Sequence, residues 1–190
     1  MTVPQAAPLR QLKHRRQINV QVYARDDGLW EVDATLTDTK TRVAHLGSGP
    51  REAGVPIHEM LLRLVVNTQL DILEAGSETR WMPYTGQCTE HGGEHGDVYQ
   101  HLVGLNLLKN FRLTSRERVG GVKGCTHITE LAQVLPTAVV QAFAGEVLDT
   151  RGDSEGASQP FQIDRCHALR SDGPVVRQFY PRWYRPLPTP

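Results

Sequence analysis

Gln17-Ile18-Asn19-Val20-Gln21-Val22-Tyr23-Ala24 runs into Arg25-Asp26-Asp27-Gly28 and then into Leu29-Trp30-Glu31-Val32-Asp33-Ala34-Thr35-Leu36. Both flanks alternate polar and apolar side chains, the period of a half-buried strand, and the Asp-Gly pair between them is a hairpin signal. Downstream, a loop carrying Gly47, Gly49, Pro50, Gly54 and Pro56 precedes two further runs, Met60 to Val66 and Leu70 to Glu74, which turn at Asn67-Thr68-Gln69. These runs predict four to five antiparallel strands with one face polar enough to meet water.

Beyond Asp97 the period changes. Val98, His101, Leu102, Leu105 and Leu108 fall at helical spacing, with Asp97 placed to cap a helix of about three turns. Arg112 to Arg118 is mixed and polar and reads as loop or a short helix. Thr126 to Ala144 is the strongest helical segment, with Ile128, Leu131, Leu135, Val139 and Ala142 near one face and Gly145 as its stop. Pro136 inside it removes one backbone donor and predicts a kink or a division into two pieces. Thr150 to Pro160 is a polar loop, and Phe161 to Tyr184 reads as a last strand pair turning at Ser171-Asp172-Gly173-Pro174. The expected class is therefore α+β, an antiparallel sheet of four to five strands packed by two or three helices. The organisation is a single domain over 11–184 with tails at 1–10 and 185–190.

Composition limits the function classes. The 190 residues carry 21 Lys plus Arg and 21 Asp plus Glu, so no net field draws the chain to nucleic acid or to an anionic membrane. No stretch approaches the ~20 apolar residues of a membrane span, and the first residues have no secretory apolar core. The expectation is a soluble cytoplasmic protein with no nucleic-acid and no membrane partner. Its three cysteines, an odd number widely spaced, suit a reducing compartment better than a disulfide framework.

The most reactive-looking stretch is Gly124-Cys125-Thr126-His127, where a glycine-rich turn opens the long helix. With Thr126 as N-cap, Cys125 lies just outside the helix, where unpaired backbone N–H groups and the helix dipole favour thiolate. Thiolate, imidazole and carboxylate are also the donors of transition-metal sites, and four places supply them: His58-Glu59, Cys88 with Glu90 and His91, Cys125 with His127, and Cys166-His167. The spacing is unlike a zinc finger, so the fold has to assemble the set. For each cysteine alone, an inert buried thiol is the competing reading. His91-Gly92-Gly93-Glu94-His95 reads as a flexible solvated loop, His101 as a core histidine and His14, beside Arg15 and Arg16, as a solvated charge. No Gly-x-Ser-x-Gly elbow or Walker loop occurs.

Several runs carry a resemblance: Asp38-Thr39-Lys40, Pro56-Ile57-His58-Glu59-Met60, Pro83-Tyr84 before Cys88, Gly124-Cys125-Thr126-His127-Ile128-Thr129-Glu130-Leu131, and Cys166-His167-Ala168-Leu169. From about Gln11 to Tyr184 the chain resembles bacterial domain-of-unknown-function family 2889, a membership that implies no particular activity. More distantly, the order of elements is similar to that of iron-sulfur cluster scaffold proteins of the SufE/NifU-like fold. In that alignment His58 replaces the first cysteine, Cys88 takes the second place, Cys125 the third, and His127 substitutes from the far side of Cys125. The resemblance implies a metal site of His58, Cys88, Cys125 and His127 suited to zinc, iron or an iron-sulfur cluster. Two alternatives stay open: a thiol or zinc enzyme acting on a small molecule through Cys125 and His127, and a binding or accessory module without chemistry.

Overall fold

A computed structural model describes residues 3–84, 88, 98–152 and 158–187. The chain forms two compact units, Met1–Ala138 and Val139–Pro190, with the division inside its longest helix.

The first unit is built on the predicted hairpin. Strands β1 (His14–Ala24) and β2 (Trp30–Lys40) pair antiparallel along their full length. Gly28 closes the turn at φ +80°, where a side chain would be strained, and Asp27 accepts the Leu29 N–H at 3.1 Å. A small ribbon of β3 (Ala44–Leu46) and β4 (Gly49–Arg51) leads into β5 (Pro56–Val66), which pairs with β6 (Ile72–Trp81). The sheet order is β1-β2-β5-β6. The four antiparallel strands match the lower count predicted, and β5 begins four residues before the expected Met60, because a proline is tolerated as the first residue of a strand.

Register explains where the core ends. Along β2, Val32, Ala34 and Leu36 are fully buried, and their partners form rows across three strands: Val22/Val32/Leu64, Val20/Ala34/Leu62 and Ile18/Leu36/Met60. The next row in the same alternation is Arg16/Asp38/His58. Three apolar rows thus give way to an ionisable one on the same sheet face. A bulge follows at once, with the β2–β5 register shifting between Asp38 and Thr39.

The helical half of this unit departs from expectation in two places. Val98–Leu102 is a single 3-10 turn rather than a three-turn helix. The residues after it run along the start of β6, with Ile72 N–H donating to Leu105, Gly104 N–H to Ile72 and Leu107 N–H to Leu70. Tyr99, Leu102, Leu105 and Leu107 are buried by that strip, so the apolar spacing serves a sheet edge instead of a helix face. His101 is exposed, not a core histidine. Asp97 lies outside the described residues.

Arg112 to Arg118, expected as loop or short helix, lies within α1 (Phe111–Val119). Helix α2 (Thr126–Phe143) matches its prediction closely and continues through Pro136 as one helix, so the proline does not divide it. Ile128, Leu131, Ala132 and Leu135 are fully buried, and the isoleucine and the two leucines each contribute roughly 1.5–3 kcal/mol through removal from water. Polar bonds fix the start of α2 against α1: Thr129 Oγ1 donates to the Val119 carbonyl, Gln133 Nε2 to Ser115 Oγ, and Arg112 Nε to the Gln133 carbonyl.

The second unit contains no strand among its described residues. Phe161 to Tyr184, expected as a strand pair, forms a 3-10 turn at His167–Leu169, a short helix α3 (Pro174–Phe179) and a 3-10 turn at Pro181–Trp183. The reason is local. Gly173-Pro174 starts a helix instead of reversing a hairpin, since proline is preorganised for the first helical position, and Asp164 sits at φ +62° while its carboxylate accepts the Ser171 N–H. Residues 153–157, in the middle of the polar loop, lie outside the described residues. No helix among the described residues is long and apolar enough to cross a membrane.

Candidate metal centre

Asp38 is the centre of the ionisable row, with only 3% of its side chain exposed. A buried carboxylate is costly unless it is paired, and four nitrogens surround this one. Arg16 grips it with two bonds, Nε to Oδ1 at 2.9 Å and Nη2 to Oδ2 at 2.7 Å. His14 Nε2 lies 3.1 Å from Oδ1, and His58 Nδ1 lies 3.1 Å from Oδ2. The remaining Nη1 of Arg16 donates to Glu130 on α2 at 2.6 Å, tying the sheet edge to the helix. Burial pushes the Asp38 carboxyl up, but the bonds and charge of Arg16, with His58 and His14, outweigh it and hold the group at about 2.

Helix α2 supplies the other half of the cluster. The Thr129 N–H bonds to the Cys125 carbonyl at 2.9 Å, so Cys125 itself occupies the N-cap position, one residue before the predicted Thr126. Tyr99, fully buried, holds the cysteine backbone at both ends: its hydroxyl accepts the Cys125 N–H at 2.8 Å and donates to the Cys125 carbonyl at 3.0 Å. Gly124 is required beside it, because a Cβ there would lie 2.6 Å from the Val119 carbonyl oxygen and 2.9 Å from the tyrosine hydroxyl.

This anchoring brings His127 over the sheet. Its ring lies 3.9 Å from that of His58, centroid to centroid, its Nε2 is 3.8 Å from Asp38 Oδ2, and its Nδ1 is 3.7 Å from Cys125 Sγ. The Cys125 sulfur is also 3.7 Å from Met60 Sδ, on the same face of β5 as His58. Burial lowers the pKa of both imidazoles. For His58 the charges of Arg16 and His14 add to the effect against the pull of Asp38. For His127 the charges of His58 and Arg16 add to it against Asp38 and Glu130. Both rings are thereby biased toward the neutral form, which carries a lone pair for a metal or a proton.

One ligand atom each from Asp38, His58 and His127 lies within 4.8 Å of the other two, a spacing one metal ion can span. Of the four residues singled out in the sequence, His58, Cys125 and His127 meet here. Cys88 stands outside this group; its N–H bonds to the Tyr84 carbonyl, and its neighbours Glu90 and His91, with the whole tract to His95, lie outside the described residues. Cys166 is an exposed thiol opening the 3-10 turn of the second unit. The sequence reading missed Asp38, Arg16 and His14 as site residues. Asp38 had a signal, since it continues the core-facing alternation Val32, Ala34, Leu36 with a carboxylate. A cavity of ≈ 470 Å³ on the opposite sheet face, lined by Arg25, Glu31, Arg63 and Glu74 among others, holds none of these groups.

The fold and site define a mixed α+β protein with a carboxylate-histidine cluster between an antiparallel sheet and the start of a helix. The family model described as "Protein of unknown function (DUF2889)" matches residues 14–141, and the chain belongs to that family. The match contains every residue of the cluster, from His14 to Glu130. No curated protein and no solved structure matches the chain, and the likeness to iron-sulfur scaffold proteins finds no support there.

Proposed function

We propose that the protein binds one transition-metal ion, zinc or ferrous iron, at the cluster of Asp38, His58 and His127. The observation that carries this reading is the convergence of two imidazoles and a carboxylate from three separate elements, β2, β5 and α2, within 4.8 Å. Convergence of this kind is costly for a fold that gains nothing from it, since the polar groups must be desolvated. Nitrogen and oxygen donors of this number suit zinc or ferrous iron, with positions left for water or a substrate.

The test is direct. Protein purified without chelator, and then metal-free protein dialysed against zinc or ferrous iron, should hold about one ion per chain. His58→Ala and His127→Ala should each abolish uptake. Absence of uptake by the unmodified chain would refute the proposal.

A second reading has its own observation. Cys125 Sγ, the His127 ring and Asp38 stand in sequence at 3.7 Å and 3.8 Å, the order of a thiol nucleophile, its base and the group that orients the base. Under that reading Cys125 alkylates with iodoacetamide faster than a model thiol at neutral pH, and His127→Ala removes the advantage.

A further inference from the structure

Resting on the metal-binding reading above, we infer that Cys125 is a positioning residue for the metal. Its sulfur accepts the Nδ1–H of His127 and thereby turns the Nε2 lone pair of that ring toward the ion. Asp38, His58 and His127 remain the three ligands, and the sulfur is the outer partner that a metal-bound imidazole needs on its other nitrogen.

The first argument is a count of hydrogens. Cys125 Sγ lies 3.7 Å from Met60 Sδ and 3.7 Å from His127 Nδ1. A thioether carries no hydrogen, so in the contact with Met60 the thiol donates. A thiol has one hydrogen, and with that hydrogen on Met60 the contact with His127 takes its hydrogen from the ring. A neutral imidazole carries one N–H, so a proton on Nδ1 leaves the lone pair on Nε2. Sulfur keeps lone pairs as thiol and as thiolate, so the assignment does not depend on which is present.

The second argument is the other end of the ring. His127 Nε2 is 3.8 Å from Asp38 Oδ2, too long for a hydrogen bond. Two nitrogen or oxygen ligands on one tetrahedral ion, with bonds of ~2.0–2.2 Å, lie about 3.4 Å apart. The gap between Nε2 and the carboxylate is thus closer to the span of an ion than to that of a proton.

The third argument is rigidity, since an outer partner orients a ligand only if it is itself held. The Tyr99 hydroxyl bonds both the N–H and the carbonyl of Cys125, and Met60 is 2% exposed on the sheet face that also carries His58. Half a turn of the His127 ring would set carbon, not nitrogen, against the sulfur. The contact therefore selects one ring orientation and one tautomer. The thiol-nucleophile reading requires the opposite tautomer, with the proton on Nε2 and the Nδ1 lone pair facing the thiol.

The test uses the reduced, metal-free full chain titrated with zinc against a competing chelator. Cys125→Ala should still bind one ion but about 10–100-fold more weakly. Cys125→Ser, whose hydroxyl can accept from Nδ1 and donate to Met60, should recover most of that loss. Two measurements on the unmodified chain need no variant to fold. Nitrogen NMR of the zinc-loaded protein, labelled in its histidine rings, should show His127 with its proton on Nδ1 and zinc on Nε2. Cobalt(II) in place of zinc should give no sulfur-to-metal charge-transfer band in the near ultraviolet, because the sulfur is not a ligand. Zinc on Nδ1, a thiolate band, unchanged affinity in Cys125→Ala, or a serine variant no better than the alanine one overturns the assignment and leaves the metal site standing. No zinc uptake by the unmodified chain overturns both.

Discussion

The hydroxyl of Tyr99 accepts the backbone N–H of Cys125 and donates to its carbonyl, so one side chain holds both polar ends of the residue that starts helix α2. Tyr99→Phe removes both partners in a buried setting. The expected loss is about 1–3 kcal/mol of stability, chiefly from the Cys125 N–H losing its bond to the hydroxyl, since the Cys125 carbonyl keeps the Thr129 N–H. Urea unfolding measures it, and a change within error would show that the clamp is dispensable.

Gly124→Ala tests the same joint by crowding. Its new Cβ would collide with the Val119 carbonyl oxygen and with Tyr99, neither of which can turn away cheaply. A destabilisation of about 1–3 kcal/mol is expected from this overpacking. Gly28→Ala makes a useful contrast: the space there is open and the cost arises from the positive φ alone.

Arg16 separates a buried interaction from an exposed one. Its bond to Asp38 is shielded, whereas Glu130 is 41% exposed. Arg16→Met should cost about 3 kcal/mol by leaving a buried carboxylate without its main partner. Glu130→Gln should cost less than about 1 kcal/mol. Equal costs in thermal unfolding would place the important partner of Arg16 on the helix instead of the sheet.

Acid should act through Asp38. Its folded value, about 2, is depressed from 3.8, so its contribution is present above 3.8 and is lost as pH falls through about 2. The difference corresponds to about 2 kcal/mol for the metal-free protein. Unfolding free energies measured from pH 5 down to pH 2 should fall in the unmodified chain and fall less in Asp38→Asn. Parallel curves would remove Asp38 as the acid-sensitive group.

These groups were unequally legible in the sequence. The β1–β2 hairpin and α2 follow from local periods of two and 3.6 residues, which in β2 and α2 survive because one face is buried, whereas β5 is read from an apolar run, Met60 to Val66, that the structure buries on both faces. Val98 to Leu108 carries a helical period that the structure spends on lining a sheet edge, and Ser171-Asp172-Gly173-Pro174 is a turn signal that becomes a helix start. Cys125 and His127 stand out as neighbours along the chain. Arg16, Asp38 and His58 do not, since only the pairing of three strands makes them adjacent, and no local pattern encodes that register. What the sequence does display is Asp38 falling where the next buried residue belongs.

Among the described residues, strand β1 is an outer strand of the sheet, paired with β2 alone. Outer strands fray more readily than central ones, so the amides of β1 should exchange with deuterium earlier than those of β2 and β5. Each such excursion withdraws His14 and Arg16 together and leaves Asp38 facing His58 and His127 alone. The charge balance at the cluster therefore fluctuates with the breathing of one strand, and whatever tightens β1 against the sheet also steadies the electrostatics around the two histidines.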